Sequence, residues 1–214
     1  MYHNRVGKPI NSEGRNGLGK IVGRRYRFVD DYKKQVYVGA NGKSKERISY
    51  IGQWVWPLNE QSEYARIVLF SRIAAGVLLA AAAASLVIVP LPLENRWYLP
   101  ITAIAFFPLL YVIMGVIKMP TKARPMERQR FANSFERARG AAVVCLVFLG
   151  LALITWAVCW ILVRCKVMAG TAFSVRDGAY ALCLLLAGAA GFAIVRKTKE
   201  IKTELRDNAS YKPE

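Results

Sequence analysis

The sequence predicts an all-α membrane protein, a bundle of four transmembrane helices with a small β-hairpin in a cytoplasmic N-terminal segment. Two observations lead to this fold class. The 214-residue chain is 54% hydrophobic, and its apolar residues are gathered into long blocks instead of being spread at the period of a helix or strand. It also carries 31 Lys and Arg against 14 Asp and Glu. Together these features exclude a disordered tail and an ordinary soluble domain.

A helix needs about 20 largely apolar residues to cross a bilayer, and four blocks of this kind occur. The first lies within a helical segment expected over residues 59–90, and Arg72 is the single charge between Ile67 and Val89. The other three blocks cover residues 98–117, 141–163 and 178–195, of which the last is the shortest. We therefore predict four membrane spans.

The region before the first span divides into two parts. Residues 1–24 are rich in Gly, Asn and basic residues and lack periodic apolar positions, which predicts a flexible basic tail. Residues 25–58 hold strand-like runs at residues 26–29, 36–38 and 48–51, and Asn41-Gly42 lies between the last two. This pattern predicts a small cytoplasmic β-hairpin.

Aromatic and basic residues at the predicted inner membrane surface indicate contacts with anionic lipid headgroups. Residues 126–163 are expected to form an amphipathic cytoplasmic extension that runs into the third span, with Phe131 and Phe135 four residues apart among arginines. Two tryptophans before the first span are expected to dock at the headgroup layer or to cover the small sheet that precedes them, with peptide or ligand binding as the alternative. The predicted headgroup contacts are Trp54, Trp56, Arg72, Arg128, Arg130 and Arg137.

The distribution of charge predicts the orientation. Residues 1–66 hold 13 Lys and Arg, residues 118–139 hold seven and residues 196–214, a predicted cytoplasmic tail, hold six, whereas the other two connections hold four. By the positive-inside rule both termini are cytoplasmic, as expected of a multi-pass protein of the plasma membrane without a signal peptide. Because orientation accounts for the basic excess, we expect no nucleic acid partner.

Residue patterns typical of catalysis or metal binding are missing. The cysteines at positions 145, 159, 165 and 183 have no C-x-x-C spacing, and His3 is the single histidine. Asp177 is expected near the outer face, where one carboxylate is too few to hold a metal ion. We therefore predict no catalytic residue, no cofactor and no metal site.

Two weaker patterns inside the spans are worth testing. Pro108 frees the carbonyl of Ile104 and is expected to kink the second helix, so that Pro108 and Tyr111 mark a candidate intramembrane polar site. Rows of small residues, Gly76-Ala80-Ala84 and Cys183-Ala187-Gly191, predict close helix approach and a homo-oligomer as one possibility.

The leading functional hypothesis is therefore a non-enzymatic membrane component that binds anionic lipid or a protein partner on its cytoplasmic side. A subunit of a transporter or channel is the alternative. A membrane thiol or lipid enzyme is a third hypothesis.

Overall fold

The computed structural model describes residues 31–38, 44–88, 97–165 and 174–207 of the chain. The predicted tail over residues 1–24, the strand-like residues 26–29 and the last residues of the C-terminal segment lie outside this part. Helices dominate the described residues: α1 (Gln61–Ile88), α2 (Tyr98–Ile117), α3 (Arg128–Phe131), a π-helical turn (Ala132–Glu136), α4 (Arg137–Arg164) and α5 (Val175–Lys199).

Four of these helical segments are long and apolar enough to span a membrane, as the sequence predicts. They are α1, α2, α5 and the continuous rod from Arg128 to Arg164 that α3, the π turn and α4 form. Their outward faces remain apolar: Phe107 and Phe192, for example, are 71% and 60% exposed. Helices with apolar residues all round are what a lipid environment requires.

The fourth apolar helix is longer than the block of residues 178–195. Ser174 and Asp177 form a capping box that starts α5 at Val175, so one turn precedes the apolar block. At the other end Arg196, Lys197 and Lys199 lie in the last turn, where positive charge complements the helix dipole. The 25-residue helix is therefore long enough to cross about 30 Å of hydrocarbon.

The helices pack mainly as two pairs, α1 with α5 and α2 with α4, and contacts between α4 and α5 and between α1 and α2 join the pairs. Small residues permit the close approach. A Cβ on Gly115 would lie 2.7 Å from the backbone nitrogen of Ala138, so α2 and α4 nearly touch there. In α5, Ala187 and Gly191 are buried, whereas Gly76 and Ala80 of the other predicted row lie on the outside of α1.

The structure confirms a hairpin at the predicted position. Strands β1 (Tyr32–Val38) and β2 (Ser44–Tyr50) pair antiparallel, with Tyr32 opposite Tyr50 and Val38 opposite Ser44. Asn41-Gly42 falls in the connection between them. Two strands alone are marginally stable in water, and here the open end of the hairpin packs on the rest of the protein through the aromatic rings of Tyr32 and Tyr50, described below.

The tryptophan segment that follows the hairpin is a β-strand. Strand β3 (Trp54–Pro57) is itself the central strand of a second sheet, in which β4 (Met126–Glu127) and β5 (Thr203–Arg206) flank it antiparallel. Val55, 2% exposed, faces the interior of the protein from this strand. The sheet joins the segments before α1, before α3 and after α5, and we call this end of the bundle the sheet end. The opposite end, where α2 and α5 begin, is called the tyrosine end.

Candidate functional site

A polar groove lies at the sheet end, between the connection that follows α2 and the start of α3. Its volume is about 690 Å³. We call it the basic groove because four cationic side chains line it: Lys118, Lys122, Arg124 and Arg130. Met126, buried to 6% exposure, and Pro120 and Pro125 supply apolar surface between these charges.

Three contacts fix the connection that carries three of the four cations. The side-chain amide of Gln61, at the start of α1, donates to the carbonyl of Thr121 (3.2 Å) and accepts from the backbone N–H of Ala123 (2.7 Å). The Arg72 guanidinium donates to the carbonyl of Met119 at 3.0 Å. These bonds satisfy backbone groups that no helix or strand pairs, so the loop has a defined course.

The far wall of the basic groove is held by the hairpin. The hydroxyl of Tyr32 lies 2.9 Å from Oε2 of Glu127 and 2.8 Å from Oε1 of Gln129. A phenol has one proton, and donation to the charged carboxylate is the stronger bond. Burial raises the pKa of Tyr32 well above its ordinary value, and the neighbouring Glu127 raises it further, so the hydroxyl stays a donor at neutral pH.

The residues that line the groove carry an excess of positive charge. All four cationic residues are exposed, and within the described part of the chain none of them forms a salt bridge. Glu127 is the one carboxylate among the lining residues, and Tyr32 already donates to it. The groove therefore presents a positive field that no described protein group neutralises, which favours a negatively charged ligand.

The predicted headgroup residues do not form one cluster. Arg130 lines the basic groove, whereas Arg137 donates to the side-chain amide of Asn133 at 2.9 Å and Arg72 binds the carbonyl of Met119. The backbone N–H of Arg128 donates to the Tyr50 hydroxyl at 3.2 Å. Sequence reasoning did not single out Lys118, Lys122 and Arg124, although all three lie in the charged stretch between the second and third apolar blocks.

The two predicted tryptophan contacts are half-buried in the sheet end. The Trp54 ring meets the Tyr50 ring edge-on at 5.3 Å, and Tyr50 meets Tyr32 at 5.2 Å, so the three rings connect the hairpin to β3. The guanidinium of Arg206 lies 5.0 Å from the ring centroid of Trp56, a cation–π contact between β5 and β3. Both tryptophans therefore have a packing role within the protein.

Pro108 and Tyr111 line a second groove, of about 470 Å³, on the surface between α2 and α4. Helix α2 continues through Pro108 without interruption from Tyr98 to Ile117. Tyr111 is 53% exposed, and Glu136 and Arg137 lie on the opposite wall of the groove. The predicted polar site is thus an open surface groove in which these two residues meet charged groups of the third apolar helix.

The tyrosine end contains a buried polar cluster that was not predicted from the sequence. The hydroxyl of Tyr98 donates to Oδ1 of Asp177 at 2.9 Å, and the backbone N–H and hydroxyl of Ser174 donate to Oδ2 at 2.8 and 3.0 Å. Thr102 donates to the carbonyl of Tyr98, so the Tyr180 hydroxyl must be the donor to Thr102.

The members of this cluster come from α2 and α5, which belong to different helix pairs, and long tyrosine side chains bridge the distance between them. The rings of Tyr98 and Tyr180 lie 4.7 Å apart between centroids. Asp177 is 1% exposed, whereas the sequence predicted only that it lies near the outer face. The Ser-x-x-Asp spacing of a capping box was the available signal, but it marks a helix start and says nothing about burial.

Among the described residues no three His, Cys, Asp or Glu side chains lie close enough together to hold a metal ion. All four cysteines are free thiols: Cys145 and Cys159 are buried, Cys183 is half-buried and Cys165 is exposed at the end of α4. Comparisons with protein-family models, with curated proteins and with solved structures found no match for the chain.

Proposed function

We propose that the chain is a four-span protein of the plasma membrane whose sheet end faces the cytoplasm, and that this end binds anionic lipid headgroups without catalysing a reaction. One observation carries the proposal. Residues 1–66, 118–139 and 196–214 hold 26 of the 31 basic residues, and each of these three segments contributes one strand to the second sheet.

The arrangement supports a lipid-binding role in two ways. Lys118 follows the last residue of α2 directly, so the basic groove begins where an apolar helix ends, at the expected depth of phosphate groups. Each basic residue near an anionic leaflet contributes about 1 kcal/mol to the attraction. A folded platform holds these charges at a constant depth, which a disordered tail does not.

Labelling of a native thiol tests the orientation. Cys165 is exposed at the tyrosine end, where α4 stops. A membrane-impermeant maleimide should label Cys165 in intact cells, and the Cys165→Ala variant should lose that label. A thiol introduced by Lys202→Cys, in the exposed residue just before β5, should be labelled only after lysis. The reverse pattern would place the sheet end outside.

Co-purified lipid tests the function. Purified in a neutral detergent and offered equal amounts of phosphatidylglycerol and phosphatidylcholine, the chain should retain mainly the anionic lipid. The preference should weaken as salt is raised, because ions screen exposed charges over about 10 Å at 0.1 M ionic strength. Equal retention of both lipids at low salt would end the proposal.

The second candidate function is a subunit of a transporter or channel, and the buried cluster around Asp177 favours it. Ionisable groups inside a helical bundle commonly mark ion or proton pathways. If Asp177 serves such a pathway, liposomes containing the chain should carry a proton or cation flux that Asp177→Asn abolishes. Flux at the level of empty liposomes would eliminate this candidate.

The proposal also includes a protein partner at the sheet end and a homo-oligomer that forms through the outward Gly76-Ala80 row. Crosslinking in native membranes followed by gel electrophoresis distinguishes the monomer from a complex with itself or with another chain.

A further inference from the structure

We propose that the basic groove is a discrete site for a lipid headgroup that carries two phosphate groups. The inference rests on the proposed function and makes it specific: one groove, and one class of headgroup, instead of a general attraction between the sheet end and a negative surface.

Charge complementarity sets the ligand class. Lys118, Lys122, Arg124 and Arg130 bring four positive charges to the groove, against the one negative charge of Glu127. A headgroup with a single phosphate would leave most of this excess unmatched. Two phosphates match it more closely, and basic pockets at the cytoplasmic ends of membrane helices are suited to such headgroups.

Size and surface chemistry agree with a headgroup. A volume of about 690 Å³ exceeds what a single phosphate fills. Met126, Pro120 and Pro125 offer apolar contact to the glycerol part of a lipid, and the amide of Gln129 adds a neutral polar group beside the cations. Because Ile117 ends α2 just before Lys118, acyl chains of a lipid held here would run along apolar helix surface.

The groove is also organised before any ligand arrives. Gln61 and Arg72 bind backbone carbonyls in the connection after α2, and Tyr32 binds Glu127 on the opposite wall. Met126 and Glu127 are fixed as β4 by pairing with β3. A ligand therefore meets charges on a fixed backbone, which reduces the entropy lost on binding.

The experiment compares two triple variants that remove the same charge from the same end of the protein. Lys118→Ala/Lys122→Ala/Arg124→Ala removes three cations of the basic groove. Arg196→Ala/Lys199→Ala/Lys202→Ala removes three exposed cations at and beyond the end of α5. The full-length protein, in neutral detergent, is titrated with cardiolipin, which has two phosphates, and bound lipid is counted by native mass spectrometry.

We expect the groove variant to bind cardiolipin roughly tenfold more weakly than the unaltered chain, and the α5 variant to change by about twofold at most. A third variant, Lys118→Arg/Lys122→Arg/Arg124→Lys, keeps every charge and should retain binding. Unaltered circular dichroism and gel filtration exclude misfolding as the cause of a loss.

Phosphatidylglycerol and inorganic pyrophosphate show whether the groove binds a lipid with two phosphates, a lipid with one phosphate or a free anion. At equal total lipid charge, phosphatidylglycerol should occupy the groove less well than cardiolipin. Pyrophosphate should compete only weakly, since it has no glycerol or acyl part. Pyrophosphate binding as tight as that of cardiolipin would instead assign the groove to a free anion and overturn the lipid assignment.

The remaining outcomes distinguish the site from the proposed function. If both triple variants lose affinity equally, the discrete site is wrong and a general basic surface stands. If the unaltered chain prefers neither anionic lipid over phosphatidylcholine, both the site and the proposed function fail.

Discussion

The two ends of the bundle differ in where their polar side chains lie and in what these side chains bind. At the sheet end, backbone hydrogen bonds between distant segments hold the chain, and the four cationic side chains of the basic groove are exposed and form no salt bridge among the described residues. At the tyrosine end, Asp177, Tyr98, Thr102 and Tyr180 are all buried and bonded to one another or to backbone.

This contrast separates stability from ligand binding. Removing an exposed cation from the sheet end takes away charge but leaves no buried group without a partner, whereas removing a member of the buried cluster does. Variants at the tyrosine end should therefore change the stability of the bundle, and variants in the basic groove should change what it binds.

The largest effect is expected from Asp177→Ala. The change leaves the buried Tyr98 hydroxyl without its acceptor and removes the capping box of α5, so we expect a loss of about 3 kcal/mol in unfolding free energy. Thermal unfolding in detergent, followed by circular dichroism, measures it. The exposed Asp207→Ala serves as the control. Equal unfolding temperatures for the two variants would contradict a structural role of the cluster.

The second largest loss of stability is expected from Gly115→Ala. The added methyl would collide with the backbone of Ala138, so α2 and α4 must separate, at a cost of about 2 kcal/mol. Gly150→Ala is the matched control, because nothing lies within 4 Å of its Cβ position. A stability loss in the control as large as that in the Gly115 variant would show that the close contact is not the cause.

Tyr32→Phe should cost about 1 kcal/mol and should act on the sheet end alone. It removes the donor to Glu127 and keeps the ring contact with Tyr50. Because the pKa of Tyr32 is raised by folding, its contribution is fully present below the unfolded pKa of about 10 and declines as pH rises through the folded value. Hydrogen exchange of β1 and β2 should increase, while protection in α5 stays unchanged. Faster exchange in α5 would contradict this local role.

The smallest effect is expected from Gln61→Ala, which loosens the connection after α2 and should lower the unfolding free energy by about 0.5 kcal/mol. Cardiolipin binding should weaken by roughly twofold to threefold, because the cations of the groove remain but are less well held. Ser62→Ala, the exposed neighbour, is the control. An unchanged affinity for the Gln61 variant would mean that the loop does not need this amide.

The sequence predicted much of the helical architecture and little of the candidate site. Four apolar blocks of bilayer length can be recognised locally, because a helix satisfies its own backbone within one segment. The hairpin could be recognised for a similar reason, from Asn41-Gly42 between strand-like runs. Strand β4 is two residues long, however, and β5 is fully exposed, so neither has an apolar pattern of its own.

The sequence also could not predict which side chains meet in the basic groove. Arg130 was predicted to contact headgroups, but its neighbours in the groove, Lys122 and Arg124, come from a different segment that is placed by Gln61 and by β3. Contacts of this kind join residues about 60 positions apart, and no local pattern specifies them.

The sequence by itself determined the number of apolar helices, their approximate limits and the concentration of positive charge in three segments, because length, hydropathy and charge are properties of each segment alone. Only the tertiary structure decided that these three segments meet in one sheet and that Asp177 is buried at the other end. Both depend on which helices pack together, and packing brings into contact groups that are distant in the chain.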